Sequence, residues 1–96
     1  MASTPESKVK ARVKALLDEY GAYHFPPNMG GYGRSGIPDI IACLKGRFIA
    51  IECKAGGSKP TALQLRELDR IRARGGVALV VNEEGVEALR SVLSSL

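Results

Sequence analysis

The chain has 96 residues, with 14 Lys and Arg against 10 Asp and Glu, a net charge of +4 and a pI of about 9.3. That length suits one domain, residues 1–96, built around one modest core, and no run reaches the ~18 consecutive apolar residues of a membrane span. The N-terminal MASTPESKVK lacks the apolar stretch of a secretory signal, so a cytoplasmic setting is expected, and the basic balance suits a polyanionic partner without naming one.

In chain order, Thr4-Pro5 reads as a helix start, with threonine as N-cap and proline at the first helical position. Val9, Val13, Leu16 and Tyr20 recur at helical spacing, and Gly21 is the expected stop. Glu6 shares that apolar face, whereas Lys8, Lys10, Arg12 and Lys14 mostly point elsewhere. Residues 22–25 form a short strand closed by Pro26-Pro27, and a glycine-rich loop, NMGGYGRSG, follows over residues 28–36. Its Arg34, Tyr32 and glycines suit a close approach to nucleic acid, with Tyr32 stacking on a base, or simply a connector. Two apolar runs joined by Lys45-Gly46 then make a hairpin.

After a second loop at residues 56–60, residues 61–74 read as a helix with Leu65, Leu68 and Ile71 near one face and its arginines largely outside. Residues 77–81 are a continuous apolar run, of the kind found in strands covered on both faces. Asn82 is the expected cap of a last helix, whose stripe of Val86, Leu89, Val92, Leu93 and Leu96 is either core or dimer interface. The order is therefore α-β-β-β-α-β-α. An antiparallel meander and one parallel crossover make an α/β fold, a mixed sheet with helices on both faces.

The hairpin carries charge where a core strand should avoid it. With Lys45-Gly46 as the turn, Leu44 faces Arg47, Ile41 faces Ala50, and Asp39 falls opposite Glu52. Lys54, two residues beyond Glu52, joins the same face. The same register sets Cys43 and Cys53 roughly 17 Å apart on opposite faces, too far for a disulfide. Two facing carboxylates on an apolar sheet need compensation. Lys54 alone would make a structural charge cluster. A divalent cation such as Mg²⁺ would do so with water and phosphate ligands added, and Asp39, Glu52 and Lys54 would then be sufficient for metal-assisted phosphodiester hydrolysis.

Gly36-Ile37-Pro38-Asp39, twelve intervening residues and Glu52-Cys53-Lys54 resemble the PD-(D/E)XK nuclease superfamily. The longer run GRSGIPDIIACLKGRFIAIECKAGGSKPTALQ resembles its virus-type replication–repair nuclease (VRR-NUC) family, especially the small stand-alone members of phages and prophages. That resemblance implies a restriction-endonuclease-like αβββαβ core with a C-terminal helix added. It implies a Mg²⁺- or Mn²⁺-dependent DNA endonuclease in a bacterial or phage-infected cell. Homodimers acting on branched DNA such as four-way (Holliday) junctions are also implied, because symmetric cleavage needs two active sites.

By the same resemblance, Asp39, Glu52 and the main-chain carbonyl of Cys53 would bind metal, and Lys54 would be the catalytic lysine. Glu6 would be a helical acid contributing directly or through water, and Gln64 would lie near the cluster. Cys53 stands where an aliphatic residue is usual. From their loop positions rather than the resemblance, Arg34, Tyr32 and Ser35 before the hairpin and Lys59 after the motif are candidate nucleic-acid contacts. Simpler roles stand beside these: Thr61-x-x-Gln64 is also a capping box, and Glu6 is also a first-turn carboxylate favoured by the helix dipole. An inactive branched-DNA-binding module of the same fold and a protein-interaction domain are the rival functions.

Overall fold

The computed structural model describes residues 4–27 and 35–96. Its elements are α1 (Pro5–Glu19), β1 (Tyr23–Phe25), β2 (Ile40–Leu44), β3 (Arg47–Cys53), α2 (Ala62–Ala73), β4 (Val77–Val81) and α3 (Val86–Ser94). The order and the fold class match those expected. Tyr32 and Arg34 lie outside the described residues.

Local chemistry sets the boundaries. The Thr4 hydroxyl accepts from the Ser7 amide at 3.1 Å, and Pro5 costs nothing at a position whose N–H has no helical partner. At the other end Gly21, at φ 73°, allows its own amide to reach the Asp18 carbonyl while Ala22 reaches Leu17. The hairpin turn has Lys45 at φ 53° and Gly46 at φ 76°. Positive φ at both central positions makes a two-residue turn whose twist matches the strands. The register follows: Leu44 pairs with Arg47, Ile41 with Ala50 and Ile40 with Ile51.

The sheet runs β1-β2-β3-β4, antiparallel except for the parallel β3–β4 pair. On one face α1 and α3 bury Val9, Val13 and Leu17 with Leu89 and Leu93 against Ile49 and Ile51. On the other, α2 sets Leu68 over Ala50 and Ala78, small side chains that let the helix approach. Because α2 packs on β3 and β4, the β1–β2 half of that face carries exposed aromatic rings.

One expectation is corrected and three are made more specific. The apolar stripe of α3, open between core and dimer interface, is core at Val86, Leu89 and Leu93, which are buried with α1 and the sheet. Residues 77–81 are covered on both faces as expected, Val81 lying in the α1–α3 core and Ala78 under Leu68 of α2, but they form the edge strand of the sheet, and Val80 is 39% exposed. Asn82 does not cap α3. Its carbonyl closes a turn onto the Gly85 amide, Gly85 is the N-cap, and Glu83 is drawn aside to accept from the Gly56 amide. Arg72 lies outside as expected, its side chain 47% exposed, yet its guanidinium donates twice to the Ala78 carbonyl, at 3.1 and 2.7 Å.

Candidate active site

Three elements converge at the C-terminal end of β3. One step beyond the last β2–β3 pair, the Asp39 carboxylate accepts from the Cys53 amide at 2.8 Å. Asp39 is thus held by backbone beside Glu52, as the hairpin register requires. Glu52 is only 2% exposed, and its Oε2 accepts from Gln64 Nε2 at 3.0 Å and lies 3.6 Å from Lys54 Nζ. Its Oε1 is buried with no hydrogen-bond partner. A buried carboxylate oxygen without a donor is costly, and it is an oxygen available to a cation.

Both readings of Gln64 hold at once. Its backbone amide donates to the Thr61 hydroxyl, and its side-chain Oε1 accepts from the Thr61 amide at 2.8 Å. An amide whose oxygen is fixed by a cap must turn its nitrogen the other way, and here that nitrogen meets Glu52. The helix start itself therefore orients the acid.

Gly36 positions the loop before Asp39. It adopts φ 83°, and a Cβ there would come within 2.5 Å of the Leu63 carbonyl oxygen. Only glycine combines that dihedral with so close an approach to the first turn of α2.

Burial, then the neighbouring Asp39 carboxylate, raise the Glu52 pKa to about 7 against the partial offset of Lys54. The Cys53 thiol is pushed up to about 12, again chiefly by burial, so near neutral pH it is a protonated core group facing α1 and α3. Its side chain points into the core, away from the two acids.

Lys10 is the residue that sequence reasoning placed wrongly. Its Nζ lies 3.6 Å from Asp39 Oδ1 and 3.8 Å from Glu6 Oε2, bridging the helical acid to the strand acid. The i, i+4 spacing of Glu6 and Lys10 was the available signal, but a long lysine stem reaches round a helix further than its position on the wheel suggests. Glu6 is half-buried and joins the cluster through Lys10. Among the described residues no three His, Cys, Asp or Glu side chains converge as a metal cage. Two carboxylates with a backbone carbonyl, water and substrate oxygens nevertheless suit a hard cation such as Mg²⁺.

Ser35 and Lys59 are exposed on the two loops that flank α2's N-terminus. His24 faces α1, where its Nε2 lies 2.7 Å from Asp18 Oδ1, and it takes no part in the cluster.

No family model matches the chain. A curated protein of Acyrthosiphon pisum secondary endosymbiont phage 1, named "Putative nuclease p44", is 41% identical over 58 residues. That match covers 59% of this chain and 62% of the phage protein, so the chain spans less than two thirds of that relative. A solved structure described as a VRR_NUC domain protein superposes with a TM-score of 0.67 at 23% identity, over 99% of this chain and 89% of that one, and supports the fold. Another, described as a VRR_NUC domain, is 30% identical with a TM-score of 0.77, over 91% of this chain and 95% of that one. Similarity over nearly the whole of that domain, in sequence and in fold, makes this chain a member of the VRR-NUC family.

Proposed function

We propose that the protein is a divalent-metal-dependent DNA endonuclease. The observation that carries this reading is Glu52: a carboxylate 2% exposed, one oxygen unpartnered, set beside Asp39 and Lys54. Burying two acids together is unfavourable for stability alone. Asp39, Glu52 and the Cys53 carbonyl would hold Mg²⁺ or Mn²⁺, which when bound supplies a nucleophilic water near neutral pH and neutralises charge on the scissile phosphate.

The chain's own groups do the rest. Gln64 Nε2 fixes the Glu52 carboxylate through Oε2, leaving Oε1 to ligate. The Cys53 amide fixes Asp39 in the same way through Oδ2. Lys54 Nζ, on the sheet face of both acids, stabilises negative charge developing on the phosphoryl oxygens and orients the attacking water. Lys10 offsets the charge of Asp39 and Glu6.

The preferred substrate in this reading is branched DNA, including the four-way junction, cut by a homodimer that brings two such sites. Ser35 and Lys59, with Arg34 and Tyr32, contact the phosphodiester backbone and bases around the cut.

A cleavage assay on four-way junction, flap and linear duplex tests it, run with Mg²⁺, Mn²⁺ or EDTA. Wild type is expected to cut only with metal, and Asp39→Ala to lose at least about a hundredfold in rate while keeping its fold and much of its DNA affinity. Wild-type cutting by Asp39→Ala would overturn the site. Binding without cutting in every metal would make the chain an inactive DNA-binding module.

A further inference from the structure

The face of the sheet that carries Asp39 and Glu52 continues past them as an open aromatic floor. Strand pairing places Phe25 beside Ile41, Tyr23 beside Cys43, and Cys43 beside Phe48, all on the α2 side. Tyr23, Phe25 and Phe48 are 70%, 41% and 48% exposed, and the Tyr23 and Phe25 rings are 6.0 Å apart. Three exposed rings on one sheet face are unusual for a chain with five aromatic residues.

At Phe48 this floor meets the wall formed by α2. A groove of about 430 Å³ lies between them, and its lining includes Phe48, Glu67, Ile71, Arg70 and Arg74. Arg70 is paired with Glu67 at 3.2 Å, which answers that acid. Arg74 has no side-chain partner among the described residues. Phe48 lies four positions before Glu52 along β3, ~13 Å at ~3.3 Å per residue. That equals about four stacked nucleotides at a rise of ~3.4 Å each.

We infer that this groove and the aromatic floor beside it form a second nucleic-acid subsite: they hold an unpaired strand running from the cleavage site, with bases stacked on Phe48 and the Tyr23–Phe25 pair and a phosphate on Arg74. This rests on the nuclease reading and adds to it that the substrate presents single-stranded nucleotides next to the cut. Bases in a duplex are stacked on each other and offer no face to a ring, whereas unpaired bases stack on aromatic side chains regardless of sequence. The unanswered guanidinium and the net charge of +4 favour a polyanion over a second copy of a basic chain.

The test is fluorescence anisotropy in EDTA with the full chain and a labelled 12-nucleotide oligo-dT, against a strand of equal length with consecutive abasic sites. Wild type is expected to prefer the base-bearing strand, and Phe48→Ala to lose about 5- to 100-fold on it while binding the abasic strand unchanged. Phe48→Leu, which keeps apolar bulk without a ring, should lose nearly as much. Arg74→Ala should weaken both strands and reduce the salt slope by about 0.7. Equal binding of both strands by wild type, full rescue by leucine, or a change of oligomeric state in Phe48→Ala would each overturn the subsite. Phe48-dependent binding by a protein that cleaves nothing with Mg²⁺ or Mn²⁺ would keep the subsite and remove the nuclease. Metal-dependent cleavage without that dependence would do the reverse.

Discussion

Glu52 concentrates the tension in this molecule. An ordinary carboxylate ionises near 4.5; burial and Asp39 raise this one to about 7 in the fold. Its contribution to stability is therefore complete below about pH 4.5 and is lost as pH rises through 7, the reverse of an ion-paired acid. The shift corresponds to on the order of 3 kcal/mol. In EDTA, the melting temperature of wild type relative to Glu52→Gln should fall between pH 5 and 7.5, by roughly 10 °C or more. The neutral isostere keeps the shape and removes the ionisation, so parallel curves for the two proteins would show that Glu52 is not strained in this way. Asp39, Glu52 and Lys54 were legible in the sequence because a two-residue turn turns pairing into arithmetic. Lys10 was not, since helical periodicity reports where a Cβ points and not where a flexible ammonium ends.

At the scale of the element, α2 does more than cover the sheet. Its capping box orients Gln64 towards Glu52, and its first turn receives Gly36 from the loop that leads to Asp39. Gly36→Ala forces either the loop or the helix start to move, because the added Cβ would lie 2.6 Å from the Leu63 carbonyl carbon at a φ of +83°. We expect it to cost about 1–3 kcal/mol of stability, read by thermal melts. Cleavage at a temperature where the variant is folded should fall further, because Asp39 moves with the loop; unchanged cleavage there would mean the loop adjusts without shifting Asp39. The order of elements was legible from periodicity, caps and glycines. The place of β4 was not: five apolar residues read alike in a central strand and in an edge strand whose outer side is only partly shielded. The start of α3 was hidden similarly, because Asn82 is a good cap by type and only the distant Gly56 amide draws its neighbour Glu83 away.

The molecule as a whole is lopsided, with two helices on one side of the sheet and one on the other, and the acid cluster lies on the thinly covered side. That asymmetry leaves the acid cluster and the exposed rings on the side with less cover. Whatever binds the folded form raises its melting temperature. Mg²⁺ or Mn²⁺ should therefore stabilise wild type, and more at pH 7.5 than at pH 5.5, because the ligand form of Glu52 is the ionised one. Thermal melts with metal and with EDTA at the two values check this, and equal stabilisation of Asp39→Ala would place the ion elsewhere. The two-faced architecture was legible in the sequence from the crossover helix. The uneven cover was not, since how far a 12-residue helix reaches across four strands is decided by packing rather than by pattern.

The guanidinium of Arg72 on the Ala78 carbonyl has a consequence for how the protein behaves in a crowded solution. A sheet border with open amides and carbonyls recruits further strands and seeds fibrils. Here one border, β1, is three residues long, and the other, β4, has a backbone acceptor occupied by a charged side chain of its own crossover helix. Neither border offers a long template, so the chain can leave aromatic rings exposed on one face of its sheet without that sheet growing by the addition of its neighbours.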